Sequence, residues 1–490
     1  MTSLVEFTWL IEKYELHELL NKPDRNNTKE QILIDSLVNS KEWSESKAKN
    51  LLYDEVSSED AFRVLKSRTL HFLDDTMLKR FDIVAQKDQM LAAKIEVNKG
   101  LTLMDIYESS GAHANAYRVA KRLYKITLDN FAYFELERVV QYLMKFNVIK
   151  NRPKRYRYFS NILRRVTEVR EDEQRINRLY LDLLMYLDVK KGVHKDERLI
   201  DQCVNLLTVK NEVLPALPSL NRLLWRSRIS SMMYYNVRDN RITTTVLLKE
   251  WEDLFNFVIQ NGQLLTPSLL LEICENSTKA HLLRGDMKEA EKLLFYASSY
   301  FKDKTHPQLL SIKRWEIIMK FHSSDGEGAW DFLKEALQGS LFESLNEEVQ
   351  VEWSIIIELF RMFFPQKSLD DMSLSIKGYG RRKNTNLNIW FYIVEICHHL
   401  IEKDFVSAGQ RLDSMRKYCK RNVSLELNQH FRPFIKCLYL ITTHGRMPDT
   451  ERANMLLKEV EKEKVWFVGT YVEYMPLSLI LSGLSSLVKK

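Results

Sequence analysis

The chain has 490 residues, 45% of them apolar and 28% charged, with 23 Phe, 21 Tyr and 9 Trp, a balance that excludes a disordered protein. It holds only 14 glycines and 10 prolines, which argues against turn-rich β sandwiches and glycine-rich nucleotide folds and for long helices joined by short loops. The formal net charge is +7, and residues 150–170, with eight basic side chains against one acidic, account for all of it. The rest of the chain is electrically balanced, so the charge marks one local patch.

Taken in chain order, Leu4, Phe7, Ile11 and Tyr14 fall on one stripe and predict a first helix. The opening Met1–Glu6 lacks a basic segment, so no secretory leader is expected. Asp24 to Thr28 reads as a polar loop, and Ser57-Ser58-Glu59-Asp60 as the capped start of a helix. Residues 1–90 are taken as a helical N-terminal region, and residues 91–490 as helical repeats. Between Leu103 and Leu123, Gly111 separates two helical patterns, the second carrying Ala116 and Ala120.

The basic stretch follows: Lys150, Arg152, Lys154, Arg155 and Arg157, with Tyr156, Tyr158 and Phe159 interleaved, then Arg164 and Arg165. Pro153 predicts a loop that leads into a helix. Lysine and arginine neutralise phosphates, and aromatic rings stack on bases. The candidate binding residues are therefore Lys154, Arg155, Tyr156, Arg157, Arg164 and Arg165. The same composition suits an acidic protein tail, or a solvated loop whose aromatics pack inward.

Further on, Arg241 to Leu248 is β-branched but runs into a helical pattern around Trp251, and Thr266-Pro267 reads as a helix N-cap followed by proline in the first turn. From Ala280 to Phe301, Gly285-Asp286 breaks two helical patterns, after which Ala290, Leu293, Leu294, Ala297 and Phe301 line one face. A related arrangement surrounds Ala329 and Ala336, and a fainter one Phe405, Ala408 and Leu412. Ala290 to Ala329 is 39 residues and Ala329 to Ala408 is 79, close to twice that, which predicts a helix–turn–helix repeat of about 39 residues. Val351 to Phe364 is apolar nearly all round and predicts a central buried helix, as does the uncharged run Tyr474 to Val488 for a terminal one. Trp225, Trp251, Trp315, Trp330, Trp353, Trp390 and Trp466 sit inside apolar patterns and are assigned to the core.

Gly285-Asp286, Met287, Ala290, Leu294 and Ala297 resemble the tetratricopeptide pattern, although Cys274 and Thr278 stand where its first helix carries Trp and Gly. The chain as a whole is similar to a group of uncharacterised bacterial tetratricopeptide-like proteins of about this length. That likeness rests on Lys49–Asp54, Phe62–Arg68, Leu103–Leu123 and Arg178–Leu184. It implies an all-α fold, an irregular right-handed solenoid of antiparallel helix pairs, and brings no activity with it.

Signatures of catalysis are absent: there is no HExxH, GxxxxGK[ST], GxSxG or EF-hand loop. Gly378-Tyr379-Gly380 lacks the third glycine of a phosphate loop. Cys397-His398-His399 has the chemistry of a metal site, but neighbours on a helix diverge by about 100° and do not converge on one ion. Asp74-Asp75, Glu59-Asp60 and Glu171-Asp172 are adjacent rather than three or four residues apart, so they do not converge on one substrate and read as solvated faces. Arg416-Lys417 with Lys420-Arg421 reads as helix surface. Five widely spaced cysteines without a CxxC are expected as buried free thiols in a reducing cytoplasm. No stretch of about 18 apolar residues predicts a membrane span.

The expected function is a non-enzymatic scaffold, without metal or cofactor, that holds a protein partner's peptide or helix on the concave face of the array. The alternative is a nucleic-acid-binding regulator that uses the patch at 150–165. A third class, an enzyme whose site is assembled from several repeats, leaves no trace in spacing.

Overall fold

The structure, a computed structural model, describes residues 28–39, 48–49, 52–53, 59–79, 89–189, 196–208, 217–237, 239–301, 308–323, 325–337, 347–363, 385–422, 425–462, 467–468, 471–472 and 475–488. The sequence readings at Leu4–Tyr14, Ser57-Ser58, Gly378–Lys383 and Trp466 lie outside these residues. The fold is all-α, and among the described residues a two-residue antiparallel ladder pairs Phe467 with Val472 and Val468 with Tyr471. The chain forms two compact units: residues 1–170 with 215–218, and residues 171–214 with 219–490.

The first unit contains α1 (Lys29–Asn39), α2 (Glu59–Lys79), α3 (Gln89–Ser109), α4 (His113–Asp129), α5 (Tyr133–Ile149) and the opening of α6 (Pro153–Val189). Leu33, Ile34, Phe62, Leu65 and Leu73 make one apolar cluster, against which Leu91 and Ile95 pack. Ala116, Ala120 and Leu123 of α4 form another with Leu136, Val140 and Leu143 of α5 and Phe159 and Val166 of α6. Small residues let these helices approach closely. A Cβ on Gly100 of α3 would lie 2.5 Å from Cδ2 of Leu123.

Three successive helices end in the same turn. Gly111, Phe131 and Asn151, spaced 20 residues apart, take φ of 73°, 55° and 48°. The next amide in each case reaches back five residues: Ala112 N–H to Tyr107 O at 2.8 Å, Ala132 to Thr127 at 2.9 Å, and Arg152 to Asn147 at 2.8 Å. This left-handed cap satisfies carbonyls that a helix end leaves open and reverses the chain in three residues. The consequence is antiparallel packing of neighbours, with contact between alternate helices as well. Asp105 and Glu108 of α3 pair with Arg138 and Lys145 of α5.

The second unit runs through α7 (Glu197–Thr208), α8 (Leu220–Met232), a π-helical turn (Met233–Val237), α9 (Thr244–Gln260), α10 (Pro267–Arg284) and α11 (Met287–Phe301). It continues with α12 (Gln308–His322), α13 (Gly326–Leu337), α14 (Glu347–Phe363), α15 (Thr385–Ile401), α16 (Phe405–Asn422), α17 (Leu425–His444), α18 (Glu451–Lys462) and α19 (Leu477–Val488). The β-branched run at Arg241–Leu248 resolves into the capped start of α9, where Thr243 Oγ1 accepts from Val246 N–H at 3.4 Å. Thr266 caps α10 in the same way, accepting from Leu269 N–H at 3.2 Å, with Pro267 in the first turn as the sequence predicts. The left-handed turn returns at Gly285 (φ 80°) and Lys403 (φ 62°).

Each residue that closes such a turn also starts the next helix, and here it is aspartate: Asp286, Asp325 and Asp404. Asp325 accepts Gly328 N–H at 2.8 Å and Asp404 accepts Ser407 N–H at 3.1 Å. Counting from each aspartate, the fourth residue is Ala290, Ala329 or Ala408 and the eighth Leu294, Leu333 or Leu412, all 0–2% exposed. The eleventh is Ala297, Ala336 or Met415, also buried. The same offsets from Ala112 and Ala132 give Ala116, Ala120, Leu123 and Leu136, Val140, Leu143 in the first unit, all fully buried.

Alternate helices are tied by ions. Arg228 of α8 binds both carboxylate oxygens of Glu272 on α10, at 2.7 and 2.8 Å. Arg314 of α12 bridges Glu275 of α10 (3.3 Å) and Glu352 of α14. As expected, α14 is buried nearly all round, with Trp353 and Ile355–Ile357 fully enclosed. Trp251, Trp315, Trp330 and Trp390 are buried too, whereas Trp225 is partly exposed. Ile480, Leu481 and Leu484 bury one face of α19, and all five cysteines are buried and free. Among the described residues no helix is long and apolar enough to cross a membrane.

Candidate functional site

The basic stretch folds as the turn Lys150–Arg152 and the opening of α6, with Pro153 as its first residue. At 100° per residue, Lys154, Arg157, Arg164 and Arg165 fall within an arc of about 100° on the exposed side of α6. Val166 and Phe159 point the other way, into the core. Tyr156 is exposed on a different flank, so it stands apart from this cationic stripe.

Arg155 and Tyr158 lie on the side of α6 that meets α4. The Arg155 guanidinium donates to Tyr117 Oη at 3.4 Å, and the hydroxyls of Tyr124 and Tyr158 are 3.4 Å apart. The Phe159 ring meets Tyr124 edge-on at 5.6 Å. Burial, then the Tyr158 hydroxyl, pushes the Tyr124 phenol well above its ordinary range. Tyr117 stacks on Phe146 at 4.1 Å, and two more cations sit over these rings: Lys121 over Tyr117 at 5.3 Å and Lys150 over Phe146 at 6.0 Å. The surface therefore has a second half that the linear reading missed: Tyr117, Lys121, Tyr124 and Lys125, one stripe of α4.

Several other cations of this unit have carboxylate partners. Arg122 lies 3.8 Å from Glu96, and Arg138, Lys145 and Arg170 pair with Asp105, Glu108 and Glu137. By contrast Lys121, Lys125, Lys150, Arg152, Lys154, Arg155, Arg157, Arg164 and Arg165 meet no carboxylate among the described residues. The first turn of α6 also carries no acid. Cations there oppose the positive end of the helix dipole, at a cost of a few tenths of a kcal/mol each. Local electrostatics of this kind, unfavourable to the fold, suit an anionic ligand.

The other candidates disperse. Cys397 is fully buried and burial pushes its thiol up to about 12. His398 Nε2 lies 3.2 Å from Glu358 on α14, and His399 Nδ1 lies 3.7 Å from Asp404. The three side chains thus serve three different neighbours. Among the described residues no group of three His, Cys, Asp or Glu side chains is placed to hold a metal ion. Asp172 is tied to Arg175 at 2.8 Å and Arg222 at 3.1 Å, while Glu171 faces solvent. Comparison of the chain with protein-family models, curated proteins and solved structures finds no match in any of the three.

Proposed function

We propose that the chain is a non-enzymatic interaction scaffold, an α-solenoid of stacked antiparallel helix pairs, that holds an acidic segment of a partner protein. Contacts between alternate helices and the recurring aspartate, alanine and leucine register support the stacked-pair reading. The observation that carries the binding reading is the cluster of nine cations without carboxylate partners, interleaved with Tyr117, Tyr124 and Tyr158. Arginine forks take carboxylates two bonds at a time, and tyrosine adds apolar area beside them.

The experiment is co-purification on the tagged chain at moderate salt, with and without nuclease, beside an Arg155→Glu/Arg157→Glu/Arg164→Glu variant. A defined protein that survives nuclease and is lost from the variant supports the proposal. A second reading, single-stranded nucleic acid, is favoured by the exposure of Tyr158 at 56%, since an uncovered ring beside cations is a stacking platform. Partners that vanish after nuclease, or nucleic acid in the eluate, select that reading and overturn the first.

A further inference from the structure

We infer that the second unit carries a separate binding site, for a small amphiphilic anion, in the pocket where α16, α17 and α18 meet. The pocket has a volume of about 670 Å³, within the range of roughly 300–1,000 Å³ that small-molecule sites occupy. Its floor is apolar: Leu412 of α16, Ile435 of α17 and Leu456 of α18 are 1%, 8% and 7% exposed. Its rim is cationic. Arg416 comes from α16, Arg432 and Lys436 from α17, and Arg452 from α18.

Four cations from three helices thus face one space against a single carboxylate, Asp413. None of the four has a carboxylate partner among the described residues. That differs from α12 and α14 of the same unit, where Arg314 and Arg361 are both paired. In sequence only Arg416 belongs to a cluster, with Lys417, Lys420 and Arg421. The fold discards that cluster and builds another with side chains 16 to 36 positions away.

The chemistry of the occupant follows from the two zones. Guanidinium groups do not deprotonate, so their mutual repulsion is relieved by an anion that each can reach with a fork of N–H donors. A phosphate or carboxylate head meets that demand. The apolar floor then favours a hydrocarbon body, at about 25 cal/mol for each Å² removed from water. The rim offers one half-exposed aromatic, Tyr439, which is a poor base-stacking surface, so a nucleotide is disfavoured. From Arg432 to Tyr439 the α17 stripe spans about 10 Å, the length of a short chain rather than of a docked helix.

The test is calorimetric titration of the full-length chain with dodecyl phosphate below its micelle concentration, with laurate, inorganic phosphate and dodecyl maltoside as companions. One saturable site for dodecyl phosphate is expected, with laurate competing. Inorganic phosphate and the neutral maltoside should each bind about a hundredfold more weakly, because each satisfies one zone only. Arg432→Ala with Arg452→Ala, both exposed, should weaken the site about tenfold or more while circular dichroism stays unchanged. Arg155→Glu/Arg157→Glu/Arg164→Glu should leave it intact, which separates this site from the proposed partner surface. Equal binding of the maltoside, indifference to the arginine pair, or uptake of many molecules with loss of helix would each overturn the inference. So would binding to vesicles containing phosphatidic acid but not to the soluble amphiphile, since that marks adsorption to a charged surface.

Discussion

Arg314 shows how single side chains join the second unit. It is 14% exposed and lies between Glu275 and Glu352, themselves 25% and 23% exposed. Arg314→Met should destabilise the unit by about 1–3 kcal/mol in urea unfolding, because two partly buried carboxylates lose the cation they share. Lys403 points the other way. It is exposed and holds φ at 62°, where a side chain is strained, so Lys403→Gly should raise stability by about 1 kcal/mol. His281 gives the pH dependence. It is buried, its Nδ1 has no hydrogen-bond partner, and burial lowers its pKa below the ordinary 6.5. The unfolded chain therefore binds the proton more readily. Stability is complete above about pH 6.5 and falls as pH drops through the folded-state value. His281→Gln should flatten the urea midpoint between pH 7 and pH 5.5, and an unchanged slope would remove His281 from the account.

Between elements, close approach decides. Gly100→Val puts a branched side chain where Leu123 already sits, and should cost about 1–3 kcal/mol in denaturant unfolding. Part of this architecture is open to sequence reading. The spacing of Ala290, Ala329 and Ala408 is visible because only a small residue suits a tight helix crossing. The turn that sets the spacing is not visible, because it is made of backbone hydrogen bonds. Its left-handed residue is glycine at 111 and 285 but Phe131, Asn151 and Lys403 elsewhere, so the 20-residue step leaves no composition signal. The aspartate register is legible at Asp286, Asp325 and Asp404, each four residues before a buried alanine. The binding surface divides similarly. Lys154 to Arg165 is contiguous and therefore legible, whereas Lys121 and Tyr124 join it only because α4 packs beside α6, with Tyr124 and Tyr158 34 positions apart.

At the scale of the whole chain, each of the two units buries apolar clusters of its own. Denaturant unfolding should then occur in more than one phase. Gly100→Val should move one phase and Arg314→Met another, and a single transition shifted equally by both would contradict this. The buried cysteines have a bearing on how that is measured. Cys203, Cys274, Cys397, Cys419 and Cys437 all fall in the second unit. Burial pushes Cys419 up to about 11 and Cys203, Cys397 and Cys437 up to about 12. Only a thiolate attacks, so the folded chain is doubly protected, by access and by protonation. An aromatic disulfide reagent will colour only as the second unit opens and will ignore events in the first. The native sequence thus carries its own stopwatch, one that times a single half of the molecule without a label being introduced.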